Sequence, residues 1–300
     1  MADDVGNVRG AAGASADDSA NGDGAAGGGG TAGAAGGAHE QTDAAMPEPK
    51  PTETQRVLFV GNSYTSFNDL PGLYNTLATS SEQYASVETF GVMPGGWTLA
   101  QHAADADTEG KPLHDQLAEG AKWKFVVLQD QSEIPAFGPD HLGEMMSRDG
   151  AVKLAEHASM LGAHTVLYMT WGRRDGDSQN MELLPDFQTM QDKLEAGYRD
   201  YAKAIRDAGY DVTIAPVGLA FAAIHDDGTN AKVQFASLYA DDGSHPSPAG
   251  SYLAACVLFG TIAGLDALDA VAAPAGMPAA DMQYLVSVAK QAVDAEAHRK

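Results

Sequence analysis

Short apolar runs alternate along this chain with longer amphipathic ones. Arg56 to Val60 is dense in Val, Leu and Phe and predicts a buried strand. Asn68 or Asp69 can cap a helix with Pro71 in its first turn, and Leu73, Tyr74 and Leu77 supply its apolar face. Further strands are predicted over Ser86 to Val92, Lys124 to Gln129, His164 to Thr170 and Asp211 to Pro216. Between them, Thr98 to Gly120 is polar and helical in parts, with a break near Gly110-Lys111-Pro112. Helices are predicted over about Gly143 to Leu161 and about Phe187 to Ala208, the second stopped by Gly209. Two more, about Pro248 to Leu265 and Pro278 to Ala297, close the chain. There is no internal repeat.

Strands that alternate with helices pair in parallel and carry helices on both faces of the sheet. Ligands in such sheets bind at the carboxyl ends of the strands. Ser63 follows the first strand, Gly95-Gly96 the second, Gln129-Asp130-Gln131 the third and Trp171-Gly172 the fourth. Asp242 and His245 lie in the loop before a late helix. One rim therefore collects the residues with chemistry.

Composition divides the chain in two. Residues 1 to 50 are dominated by Ala, Gly, Asp and Ser, with Gly27-Gly28-Gly29-Gly30 in the middle and no aromatics. Such a segment buries too little apolar surface to offset its ordering entropy, so 1–54 is expected to be a leader or tether. It lacks the basic start and apolar centre of a secretory signal. Its likeness to linkers of bacterial surface lipoproteins suggests an exported protein (periplasmic, cell-surface or extracellular) with a lipid-anchored precursor. Residues 55–300 have the length and character of one domain with a substantial core.

A formal net charge of -23 over 300 residues argues against nucleic-acid phosphate as a partner. It gives no attraction to an anionic membrane surface. No apolar run is long enough to cross a bilayer; the nearest, Ser251 to Leu265, contains Tyr252, Thr261 and two glycines and reads as a core helix. Cys256 is the single cysteine, set among Ala254, Ala255, Val257 and Leu258, which predicts a buried structural thiol. The scattered histidines form no HExxH or His/Cys cluster, and neither a phosphate loop nor a dinucleotide fingerprint is present, so no metal or cofactor is expected.

The candidate chemistry lies in two stretches, Val57-Leu58-Phe59-Val60-Gly61-Asn62-Ser63-Tyr64-Thr65 and Asp242-Gly243-Ser244-His245-Pro246. Each alone could be an ordinary turn. Together they hold a nucleophile (Ser63), a base (His245) and an orienting carboxylate (Asp242, rather than its neighbour Asp241) in the order of a Ser…Asp…His hydrolase. Acyl transfer also needs donors for the developing oxyanion. The Ser63 N–H, an N–H of Gly95 or Gly96, and the amide of Gln131 or Gln129 are the candidates. Trp97, His102, Trp171, Arg173 and Arg174 fall near the same rim and could contact substrate. Gly172 to Pro185 is long and polar, either a lid or a surface loop.

Gly61-Asn62-Ser63-Tyr64-Thr65, Gly95-Gly96, Gln129-Asp130-Gln131-Ser132 and Asp242-Gly243-Ser244-His245-Pro246, in that order, resemble the SGNH (GDSL-like) hydrolase superfamily. The resemblance spans nearly all of the globular part. It implies a flavodoxin-like three-layer α/β/α fold with a parallel five-stranded sheet in the order 2-1-3-4-5. It also implies Ser63, His245 and Asp242 as the triad, and a Gly of Gly95-Gly96 in the oxyanion hole. Two blocks depart from the family pattern. The first reads Gly-Asn-Ser where Gly-Asp-Ser is usual. The third has Gln131 where an asparagine usually completes the hole, with Gln129 as the alternative. The expectation is a cofactor-independent serine esterase, with an acylated carbohydrate as its substrate. A lipid or aryl esterase, or a non-catalytic glycan-binding module on the same fold, are the alternatives.

Overall fold

The computed structural model describes residues 51–299, apart from 273 and 275. Most of the 1–54 leader thus lies outside the described residues. The elements follow in the order β1 (Thr54–Val60), α1 (Ser63–Ser66), α2 (Leu70–Ser80), β2 (Ser86–Val92), α3 (Leu99–Ala106), α4 (Pro112–Gln116) and β3 (Phe125–Leu128). Then come α5 (Leu142–Met160), β4 (His164–Tyr168), α6 (Phe187–Asp207), β5 (Val212–Ala215), α7 (Val217–Asp227), α8 (Pro248–Ala263) and α9 (Ala279–Ala297). The strands form one sheet in the order β2-β1-β3-β4-β5, and every neighbouring pair is parallel. This is the three-layer α/β/α arrangement expected.

Side chains alternate across a strand, and here each face meets its own core. Val57, Phe59, Val127, Val166 and Tyr168 pack with α2, α7, α8 and α9. Leu58, Val60, Val126, Leu128, Leu167 and Ile214 pack with α3, α5 and α6. Burial on both faces explains why the inner strands β1, β3 and β4 carry continuous apolar runs, each such side chain contributing about 1.5–3 kcal/mol, whereas the edge strand β2 is buried only at Val92.

The helix starts are set by local chemistry. Asp69 accepts from Gly72 N–H at the start of α2, and Thr98 and Gln101 form a reciprocal capping box at α3. Ser247 caps α8, with Pro248 as its first residue. Helix α8 is buried from Gly250 to Gly260, the core helix that its composition suggested. Within it Cys256 is fully buried, and burial pushes its thiol up to about 12. No described helix is long and apolar enough to cross a membrane.

The structure corrects the expected elements in two places. Helix α7 did not register in the sequence, because it follows β5 directly and carries no polar stripe. Strands β3 and β4 stop at Leu128 and Tyr168, short of Gln129 and Thr170. The rim residues therefore begin sooner, although Gln129 N–H still donates to Val60 O at 2.9 Å and Met169 N–H to Ala215 O at 3.1 Å, so the hydrogen bonding runs one residue past each strand end.

Candidate active site

The nucleophile turn is built by close packing. A Cβ on Gly61 would lie 2.5 Å from Thr65 Oγ1 and 2.6 Å from Gln129 Oε1, so the chain can turn sharply out of β1 only with glycine. Asn62 then caps α1: its Oδ1 accepts from Tyr64 N–H at 3.1 Å, and its Nδ2 donates to Trp97 O at 2.9 Å. Ser63 is the first residue of this helical turn and keeps part of its surface exposed at the carboxyl edge of the sheet.

The facing loop is held by its own backbone. Ala240 N–H donates to His245 O at 2.8 Å and Gly243 N–H to Ala240 O at 3.0 Å, with Gly243 at φ +67°. Asp242 Oδ1 accepts from the N–H groups of Ser244 and His245, both at 2.9 Å. Its Oδ2 takes the Nδ1–H of His245 at 2.6 Å. His245 Nε2 in turn accepts from Ser63 Oγ at 2.8 Å. Partial burial works to raise the Asp242 carboxyl, but the His245 hydrogen bond and the two N–H groups outweigh it and hold the carboxyl below its ordinary range. Phe67 stacks on the imidazole with ring centroids 4.2 Å apart, fixing its plane. Asp241 is exposed and takes no part.

A cleft of about 220 Å³ opens beside Ser63 and His245. Gly96, Gln131 and Arg173 line it, as do Tyr64, Ser132 and Ser244, which the sequence had not singled out. Tyr64 OH and Ser244 Oγ are 2.7 Å apart across 180 residues of chain, so no local pattern could have announced them. Gln131 Oε1 accepts from Glu133 N–H at 2.9 Å, and its Nε2 has no protein partner among the described residues. Arg173 donates to Ser132 Oγ at 3.1 Å and is braced by Glu133 at 2.5 Å and by the buried Asp177 at 2.7 Å. Clefts of about 490 and 600 Å³ elsewhere hold none of Ser63, Asp242 or His245, so size alone does not mark the site.

Other expected contacts fall outside the cleft. Trp171 is fully buried, stacked between Tyr64 at 4.8 Å and Phe221 at 4.4 Å, and its Nε1–H donates to Ser244 O. It supports the site from below and offers substrate no face. His102 is likewise buried, its Nε2–H donating to Gly61 O at 2.8 Å. Gln129 is buried too: its Oε1 accepts from Asn62 N–H at 2.9 Å and Thr65 Oγ1 at 2.7 Å, and its Nε2 donates to Asp130 O. With its oxygen on the nucleophile turn and its amide nitrogen buried away from the cleft, it holds that turn and does not reach an oxyanion. Trp97 is half-buried, tilted against His102, and Gly95 is exposed; neither lines the cleft. Arg174 ion-pairs with Asp175. The segment from Gly172 to Pro185 is packed, with Arg174 N–H on Gly243 O and Asp177 N–H on Leu184 O, so it reads as a fixed loop.

A parallel 2-1-3-4-5 sheet carrying a Ser–His–Asp relay at its carboxyl edge defines a class of α/β hydrolytic folds. A solved protein from Slackia heliotrinireducens, assigned to the SGNH hydrolases, is 32% identical to this chain, covers 70% of it and 100% of its own length, and superposes with a TM-score of 0.54. The chain therefore belongs to the SGNH hydrolase superfamily. A DUF4886 family protein from Bacteroides uniformis shares the fold at 16% identity and a TM-score of 0.60, with 80% of this chain and 95% of that one covered. A gut microbial diltiazem-metabolizing enzyme does so at 14% identity and a TM-score of 0.50, over 70% of this chain and 47% of that one. No protein-family model matches the chain, and no curated protein does.

Proposed function

We propose that this hydrolase is a serine esterase that works through an acyl-enzyme, with an O-acetylated carbohydrate as its substrate. The observation that carries the reading is the continuous Ser63–His245–Asp242 hydrogen-bonded relay opening onto a cleft. Ser63 Oγ attacks the ester carbonyl as His245 Nε2 takes its proton, and Asp242 holds the imidazole in the tautomer that can accept it. The N–H groups of Ser63 and Gly96 and the Nε2 of Gln131 receive the oxyanion. His245 then protonates the leaving alcohol, and water, deprotonated by the same imidazole, releases the acid.

The small volume of the cleft favours a short acyl group. The hydroxyls of Tyr64, Ser132 and Ser244, with the guanidinium of Arg173, suit a partner rich in hydroxyls. Trp171, being buried, offers a sugar no stacking face and adds nothing to this reading. Export, in keeping with the composition of residues 1–54, belongs to the same proposal.

Release of p-nitrophenol from p-nitrophenyl acetate tests it. Ser63→Ala should lower kcat by about 10⁴-fold or more, and acetylated sugars should then release acetate in a Ser63-dependent way. Equal rates in the parent and the variant would sink the esterase reading.

A further inference from the structure

Asp130 has no exposed surface, yet it carries a carboxyl group. Such a group is tolerated in an interior only when hydrogen bonds replace its water. Four donors do so. Oδ1 accepts from Leu99 N–H at 2.8 Å, Gln131 N–H at 2.8 Å and Ser147 Oγ at 3.1 Å, and Oδ2 accepts from Tyr201 OH at 2.9 Å.

The origin of these donors is informative. Leu99 opens α3, directly after the loop that holds Gly96. Gln131 stands in the loop after β3. Because β1 lies between β2 and β3 in the sheet, these two loops flank the Ser63 turn from either side. One carboxylate oxygen therefore ties together the two loops that line the cleft with Gly96 and Gln131. Its neighbour Gln129 clamps the nucleophile turn itself through Asn62 N–H and Thr65 Oγ1. Residues 129, 130 and 131 thus hold the Ser63 turn, the Gly96 loop and the cleft wall in succession.

We infer that Asp130 is a positioning residue that locks the Gly96 loop to the Gln131 loop and so sets the spacing of the oxyanion donors. Its consequence for catalysis rests on the esterase reading above; the locking itself does not. A donor displaced from its oxyanion loses transition-state stabilisation while leaving ground-state binding nearly unchanged.

Asp130→Asn keeps the shape but places an amide donor among groups that already donate. It should lower kcat by about 10²–10³-fold with KM changed by less than about threefold. The inhibition constant of a small alkylboronic acid, which forms an anionic tetrahedral adduct on Ser63, should rise by the same factor as kcat/KM falls. Hydrogen–deuterium exchange should quicken in residues 95–99 and 129–132 together, the other segments keeping their protection. Tyr201→Phe removes one donor to Asp130 without opening a large cavity. It should give the same proportionality at a milder loss of about three- to tenfold, and it decides the matter if Asp130→Asn does not fold. A kcat close to the parent's, an unchanged boronic acid affinity, or faster exchange in only one of the two loops would overturn the inference. If the parent protein has no Ser63-dependent turnover, the esterase reading falls instead, and the exchange result still decides whether Asp130 locks the loops.

Discussion

His102 shows how a single buried side chain ties site geometry to pH. Its Nε2–H holds Gly61 O, and its Nδ1 is buried with no hydrogen-bond partner among the described residues. Burial lowers its pKa to about 4, against smaller raising effects of the Gly61 carbonyl and Asp105. The folded protein therefore keeps this imidazole neutral while the unfolded chain takes up a proton near the ordinary value of 6.5. The stabilisation is complete above about pH 6.5 and is lost as pH falls toward 4, a span worth about 3 kcal/mol. Two buried carboxyls act the other way. Burial raises Asp130 to about 6 and Glu144 to about 7, so the folded state binds their protons first and gains stability over much of the same range. His102→Asn should cost stability at pH 7 through the lost packing, and that deficit should shrink by up to about 3 kcal/mol on acidification to pH 4. Urea denaturation of the parent and the variant at matched pH reads this, and parallel curves would mean that His102 does not titrate in the window. The sequence made Ser63, Asp242 and His245 legible because each sits in a short motif whose spacing is itself the geometry. It misled at His102, Gln129 and Trp171. Gln129 and Trp171 lie past the strand ends at Leu128 and Tyr168, where residue type alone does not report whether a side chain turns into the core or into the cleft. His102 lies on the buried face of a helix whose composition is otherwise mixed.

The elements that bring these residues together depend on a few close backbone approaches. Gly197, midway along α6, packs on the turn at residues 134–137, and a Cβ there would lie 1.9 Å from Pro135 O. In an unconstrained helix, replacing glycine by alanine gains roughly 1 kcal/mol. Here the obstacle is a backbone carbonyl, which cannot rotate aside, so overpacking of about 1–3 kcal/mol or more decides the sign. Gly197→Ala should therefore lower the urea midpoint and, because the displaced turn continues from the Gln131 loop, lower kcat as well. A neutral or raised midpoint would show that α6 can shift without cost. At this scale the inner strands were legible because burial on both faces leaves continuous apolar runs such as Val57 to Val60 and Phe125 to Leu128, and caps such as Asp69 and Ser247 marked helix starts. Helix α7 was not legible. Its first residue follows β5 after Pro216 alone, and Val217, Ala220, Phe221 and Ile224 are buried among other apolar residues with no contrasting polar face to set a period.

At the scale of the whole molecule, composition changes near residue 50, and the described residues beyond it hold the sheet, both cores and the cleft. The strand ladder begins at Thr54, which pairs with Ser86, so a boundary at residue 55 would trim the first rung of β1. Apolar burial is the main favourable contribution to stability, and the core residues of both clusters fall between Val57 and Val293. Deleting residues 1–50 should then leave the melting temperature within about 2 °C, a change of about 1 kcal/mol or less for a domain of this size. Turnover of p-nitrophenyl acetate should stay within about twofold, because the Ser63–His245–Asp242 relay and the described residues that line its cleft all come from the retained segment. Thermal melts and initial rates on the full-length and shortened chains make the comparison. A fall of several degrees would give the leader a share in the fold. A large change in kcat/KM at an unchanged melting temperature would instead place part of the leader's influence at the cleft, and the site would then have to be described with those residues included.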